Sequence, residues 1–284
     1  MTARVQNVAF LERRIRQLIK DERKSVEMRS TMANVVIGQM LPRGVVRGWT
    51  LMNLRYGRVA TRFTRDFDAA QNAEVELFRE ELEASLRKGW ADFSGRLVDA
   101  PRAKSVKKIK LREDYLMTPF YAKLMYRNHP WCTVKLEISP NEIGDADEGE
   151  MIPVPEEVAA VFDELGFPKP AAIPAMTIEY QIAQKIHGMT KRNNLRARDL
   201  VDLQLIVKNE KRIRYKKVGQ ICRRLFAYRQ QQTWPSNVSY EAKGWETLYR
   251  ESAQGVDVLQ SVEDAVPWGN ALIAKIDKAL RWGK

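Results

Sequence analysis

Asp66 and Asp68, separated by Phe67, are the residues of this sequence best suited to chemistry. On an extended strand, residues two apart project to the same side, so both carboxylates reach one site while Phe67 turns into the protein. That pattern suits a hard divalent ion such as magnesium, which takes oxygen ligands, commonly one or two carboxylates together with the phosphates of a substrate. Just upstream, Val45-Val46-Arg47-Gly48-Trp49-Thr50-Leu51 is a short apolar run broken by glycine, and a helix is expected over Leu51 to Tyr56. A glycine between strand and helix lets a phosphate come close to the backbone, and the unpaired amides of a helix start favour an anion. Six arginines (43, 47, 55, 58, 62 and 65) and no acidic residue occupy positions 43 to 65, a stretch that would draw a polyanion.

Three further stretches carry candidate groups. In Thr133-Val134-Lys135-Leu136-Glu137-Ile138 the alternation puts Thr133, Lys135 and Glu137 on one face of a strand. Glu137 is then a third carboxylate for the Asp pair, or equally a polar residue on a solvated face. In the segment 177 to 189, Ile178, Ile182, Ile186 and Met189 form an apolar helical stripe with Lys185 at its edge. The segment 196 to 207 is apolar over much of its circumference yet places Asp199 and Asp202 on one face. Carboxylates on a mostly buried helix require partners, and Lys185, Arg196 and Arg198 are the candidates, either in a site or in a purely structural ion-pair cluster.

The elements that must position these groups read as follows. Residues 6 to 40 are helical, with Val8, Leu11, Ile15, Leu18 and Ile19 at helical spacing and a second helix over Met32 to Met40; both end before Pro42. A scaffold helix is expected over Ala73 to Ser94. Extended segments follow at Val106 to Leu111, Phe120 to Tyr126 and Cys132 to Ile138. Residues 144 to 153 read as an acidic loop, and Pro155 to Leu165 as a short amphipathic helix. Pro168, Pro170 and Pro174 then remove backbone donors and mark a boundary between domains at 1–170 and 171–284.

Composition narrows the class. The 284 residues, 44% hydrophobic and 30% charged, are ordinary for a globular chain large enough for one or two cores. Two cysteines and two histidines cannot form the usual zinc sites or a disulfide framework. No apolar run approaches the roughly 18 to 20 residues that span a bilayer, and the start lacks the features of a secretory signal. A cytoplasmic protein without a membrane partner is therefore expected. The net charge is +12, and positions 185 to 229 hold 14 basic residues against three acidic ones. Such an excess favours a polyanion, because neutralising phosphates releases counterions.

Taken in order, Arg47-Gly48-Trp49-Thr50-Leu51, Thr64-Arg65-Asp66-Phe67-Asp68, Lys135-Leu136-Glu137-Ile138, Ala183-Gln184-Lys185-Ile186-His187-Gly188-Met189 and Arg198-Asp199-Leu200-Val201-Asp202-Leu203 resemble the ordered motifs of the AbiEii/AbiGii and MenT group of nucleotidyltransferase toxins. The resemblance covers about residues 5 to 210. It implies an α/β (α+β) protein with a polymerase-beta-like nucleotidyltransferase fold, a small mixed sheet carrying Asp66, Asp68 and Glu137, and a helical, basic C-terminal lobe carrying Lys185 and Asp199, with the nucleotide between them. Carried over by position, Asp66, Asp68, Lys185 and Asp199 are the catalytic set, and Asp66, Asp68 and Glu137 the ligands of two magnesium ions. Gly48, Thr50, Arg65, Lys135 and Arg198 would hold the NTP, and Asp202 would anchor its helix. Trp49 stands where the family has a small residue, and Gln184 where it has glutamate. The implied reaction is transfer of a nucleotide from an NTP to an acceptor hydroxyl, foremost the 3′ end of tRNA, in a toxin with a cognate antitoxin or in phage defence. The residues alone also admit a transferase acting on Ser, Thr or Tyr hydroxyls, or a nucleic-acid-binding regulator without activity.

Overall fold

The computed structural model describes residues 5–57, 66–71, 74–100 and 118–281. These fall into two compact units, one running to Met176 and the other beginning at Thr177. The expected strand Val106 to Leu111, and Arg58, Arg62, Thr64 and Arg65, lie outside the described residues.

The first unit opens with two helices. Helix α1 (Val8–Ile19) starts where the Asn7 side chain accepts from the Phe10 amide at 2.9 Å, and it buries Leu11 and Ile15. Helix α2 (Glu22–Gln39) is capped in the same way by Asp21, which accepts from the Lys24 amide at 2.8 Å. It begins ten residues earlier than the apolar pattern from Met32 suggests, because a capping aspartate opens a mostly polar first half that buries only Ser25 and Met28, and the continuous buried run, Thr31 to Gly38, comes at its end.

A seven-stranded mixed sheet is the frame of this unit, in the order β3-β4-β5-β2-β1-β7-β6. In chain order the elements are β1 (Val45–Val46), α3 (Gly48–Tyr56), β2 (Asp66–Ala70), α4 (Val75–Lys88), β3 (Phe93–Asp99), β4 (Thr118–Tyr126), β5 (His129–Ser139), β6 (Gly149–Ile152), α5 (Glu156–Glu164) and β7 (Ile173–Met176). The hairpin strands β3, β4 and β5 are antiparallel, and β5 then lies parallel to β2. β2 runs antiparallel to β1, β1 parallel to β7, and β7 antiparallel to β6. Beneath the hairpins Phe93 packs with Tyr126, Trp131 and Phe167 at ring separations of 4.8–5.2 Å.

The sheet is larger than expected. The scaffold helix stops at Lys88, where Gly89, Ala91 and Asp92 take positive φ and turn the chain into β3, so the expected end at Ser94 lies six residues too far. β6 emerges from the acidic loop, and β7 includes Pro174, which sequence reasoning placed in a boundary segment. Pro174 stands opposite Met151 of β6, and on its other side β7 meets the two-residue β1 only at Ala175. Helix α3 begins at Gly48, three residues ahead of the expected Leu51.

The second unit is helical: α6 (Ile178–Thr190), α7 (Ala197–Asn209), α8 (Tyr215–Arg229), α9 (Trp245–Ala253) and α10 (Val262–Arg281). The apolar stripe of α6 is buried, as are Leu200, Leu203 and Ile206 of α7 and Val218, Cys222 and Leu225 of α8. Trp245 stacks on Tyr249, whose hydroxyl accepts from the Gln204 amide at 2.9 Å, tying α9 to α7. Among the described residues no helix is long and apolar enough to cross a membrane.

Candidate active site

Parallel pairing of β2 with β5 sets Asp66 opposite Lys135, and Asp68 opposite Glu137. Within β2, Phe67 is fully buried while the two aspartates project to the other side, as a period of two requires. The turn after β1 then grips β2. The Arg47 amide donates to the Asp68 carbonyl at 2.9 Å, and the Trp49 amide to the Asp68 carboxylate at 3.3 Å. Gly48 between them has φ +60, and a Cβ there would collide with the Asp68 carboxylate. Glycine is needed on both counts.

Trp49 is only 7% exposed, so its indole belongs to the core and its backbone N–H faces the site. Thr50 departs from expectation. Its side chain is fully buried, and its hydroxyl donates to the Asp66 carbonyl at 2.9 Å and accepts from the Asp68 amide at 3.1 Å. Its hydroxyl fixes α3 to β2.

The electrostatics of this cluster are unfavourable as it stands. Burial, and next the charge of Glu137, push the Asp68 carboxyl up to about 6, against the lowering influence of Arg47 and the Trp49 N–H; Asp66 adds to the rise. Lys135 ion-pairs with Glu137, and that hydrogen bond raises the lysine further. Among the described residues no three carboxylate, histidine or cysteine side chains are gathered as a ready-made metal cage. The donor set still fits magnesium, which is commonly held by one or two carboxylates plus substrate phosphates rather than by the protein alone. A cation beside Asp68 would relieve the repulsion that raises it.

Of the six arginines between positions 43 and 65, the three described ones are committed within the protein. Arg43 pairs with Glu81, Arg55 with Glu150 at 2.7 Å, and Arg47 lies 4.0 Å from the fully buried Asp145 and donates to Ser139. Asp145 was missed from sequence: it sits in a short acidic loop with no periodicity, and only the fold sets it beside Arg47.

A second cluster lies in the helical unit. Lys185 of α6 is 6% exposed, 2.5 Å from Asp202 and 3.6 Å from Asp199 of α7. Arg196 reaches Asp199 at 2.7 Å. A Cβ on Gly188 would stand 2.5 Å from the Asp199 carboxylate, so the absence of a side chain there is what lets Asp199 lie against α6. Arg198 is exposed on α7, and the arginine that pairs with Asp199 is Arg196. The structure thus gathers Gly48, Asp66, Asp68, Lys135 and Glu137 in one unit, and Lys185, Asp199 and Asp202 in the other.

The comparisons with known proteins are decisive on kinship. The family model of the nucleotidyl transferase AbiEii toxin of type IV toxin-antitoxin systems matches residues 36–266, well over half of the chain. The chain belongs to the AbiEii family. This AbiEii-family protein is an NTP-dependent nucleotidyltransferase of the toxin class, and a type IV system pairs such a toxin with an antitoxin. Its fold is shared by the nucleotidyltransferase toxin MenT4 from Mycobacterium tuberculosis H37Rv, with 13% identity, 97% of this chain and 98% of that one covered, and a TM-score of 0.53. JHP933 from Helicobacter pylori aligns at 14% identity over 92% of this chain and 94% of its own, with a TM-score of 0.46. No curated protein sequence matches the chain.

Proposed function

We propose that the protein transfers a nucleotide from an NTP to the 3′ hydroxyl of tRNA in the cytoplasm, with Asp66, Asp68 and Glu137 holding two magnesium ions. The observation that carries this reading is the Asp68 carboxylate, seated in the Gly48 turn opposite Glu137 and raised to about 6 by burial and by the charge of Glu137. Magnesium bound there would supply Lewis-acid activation of the acceptor hydroxyl and screening of the triphosphate.

The chain's own groups do the rest. The acceptor oxygen bonds to the α-phosphorus, the bond to pyrophosphate breaks, and the hydroxyl proton passes to water. The Trp49 N–H holds Asp68 in place, and Lys135 keeps Glu137 on the site's side of β5. In the helical unit Lys185 is the cation for phosphate charge, and Asp199 and Asp202 hold its ammonium in a single position. The excess of basic over acidic residues from 185 to 229 supports RNA as the acceptor.

The test is incubation of the purified protein with tRNA, magnesium and each of the four labelled NTPs, with Asp68→Ala and Lys185→Ala as controls. Label on tRNA that both substitutions abolish is the expected result. Label on protein bands instead would replace the RNA acceptor with a protein hydroxyl.

A further inference from the structure

Helix α8 has two faces of different character. Val218, Cys222, Leu225 and Phe226 are buried, while Lys216, Gln220, Arg223, Ala227 and Tyr228 face solvent. The helix carries Lys216, Lys217, Arg223, Arg224 and Arg229 and no acidic residue. At its end the chain reverses through Gln230, in the left-handed region, and returns along Gln231 to Trp234. Helix and returning segment together line a cavity of about 490 Å³ whose walls include Arg223, Phe226, Ala227, Gln232 and Trp234. That volume suits a small planar ligand.

Its inner side is polar in an unusual way. The Gln232 amide nitrogen donates to the His187 carbonyl at 2.8 Å and to the Thr190 hydroxyl at 2.7 Å, which orients the amide. Arg229 donates to His187 Nδ1 at 3.1 Å, so the ring hydrogen sits on Nε2. Three buried atoms around Phe226 then have no hydrogen-bond partner among the described residues: Gln232 Oε1, Trp234 Nε1 and His187 Nε2. Buried polar atoms are nearly always partnered, and one acceptor with two donors in a single cluster calls for a ligand that carries both. His187 lies two residues beyond Lys185 on α6 but packs on Phe226 of α8, with ring centroids 4.9 Å apart, whereas Lys185 turns to α7. The Lys185 cluster does not use these groups.

We propose that this cavity takes one unpaired base of the RNA partner, stacked on the Trp234 indole and met at its edge by Gln232, while Arg223 neutralises a flanking phosphate. The proposal rests on the RNA-acceptor reading. An aromatic wall, an amide and an arginine at the rim is the chemistry that binds single-stranded RNA. Gln232 and Trp234 themselves line the cavity, so a base seated there meets both.

The experiment measures anisotropy of a fluorescein-labelled single-stranded RNA decamer, titrated with the full chain and with two variants at exposed positions. Ala227→Trp fills the cavity from the solvent side, and Arg223→Glu reverses the cation at its mouth. Both are expected to weaken binding about tenfold or more with an unchanged melting temperature. A second decamer carrying one 2-aminopurine should lose its stacking quench with Ala227→Trp; Arg223→Glu keeps the test open if the tryptophan disturbs folding. Binding by both variants equal to wild type overturns the pocket and leaves the RNA acceptor standing. Failure of the wild type to bind the decamer, together with nucleotide label on protein, overturns both.

Discussion

Gly48 and Asp68 compete for one volume: the carboxylate of Asp68 stands where a side chain on residue 48 would begin. The turn between β1 and α3 is thereby built around the carboxylate, and its conformation, φ +60 at Gly48, is one that L-residues avoid. Gly48→Ala adds backbone strain of about 1–2 kcal/mol and drives Asp68 off its seat. The expected result is a stable but weakened fold by urea unfolding, with nucleotide transfer down at least about a hundredfold, a loss far larger than the stability change explains.

Asp68 itself should trade stability against activity. Its folded carboxyl titrates near 6, against 3.8 for the ordinary group, so between those values the folded state holds more protons than the unfolded one. Stability therefore falls as pH rises through this window and stays lower at neutral pH. Asp68→Asn removes the penalty and should raise stability at pH 7.5 by about 1–3 kcal/mol while abolishing transfer. Magnesium with NTP should stabilise wild type and narrow the gap, which thermal melts with and without magnesium will read.

The carboxylate pair was legible because Asp66 and Asp68 obey the simplest periodicity, and Phe67 between them is an unambiguous core residue. The place of Glu137 was not. It depends on β2 lying parallel to β5 with Asp68 opposite Glu137, a register that links segments about seventy residues apart and leaves no local trace. The helical cluster was readable from the opposite direction: two aspartates on an apolar helix demand cations, and Lys185 and Arg196 are the ones that answer. Strands β6 and β7 escaped because four residues give too short a pattern, and Pro174 argues against a strand on local grounds. The basic composition pointed toward RNA at once, but Arg43, Arg47 and Arg55 turn out to lie against Glu81, Asp145 and Glu150.

Lys185 is buried with two carboxylates, so its removal strands charge in the interior. Lys185→Met should cost about 3–5 kcal/mol, the usual consequence of leaving a buried ion without its partner. Adding Asp202→Asn removes the nearer of the stranded charges and should recover at least half of that loss. Transfer should stay absent in both variants if Lys185 acts on the nucleotide. Activity returning along with stability would reduce the cluster to a structural ion pair.

His187 gives the helical unit an acid sensitivity of its own. Burial, with Arg229, Lys191 and Arg196 adding to it, pushes the imidazole from 6.5 down to about 3. The unfolded chain takes up a proton below about 6.5, and the folded one does not until about 3. The histidine's contribution to stability is therefore complete above 6.5 and drains away as pH falls through that interval. His187→Phe keeps a ring against Phe226 but cannot bind the proton. It should be somewhat less stable than wild type at pH 7.5, having lost the acceptor for Arg229, and should overtake or match it by pH 4.5. Parallel chemical unfolding at the two pH values checks this, and a constant difference between variants would mean that some other group sets the acid response.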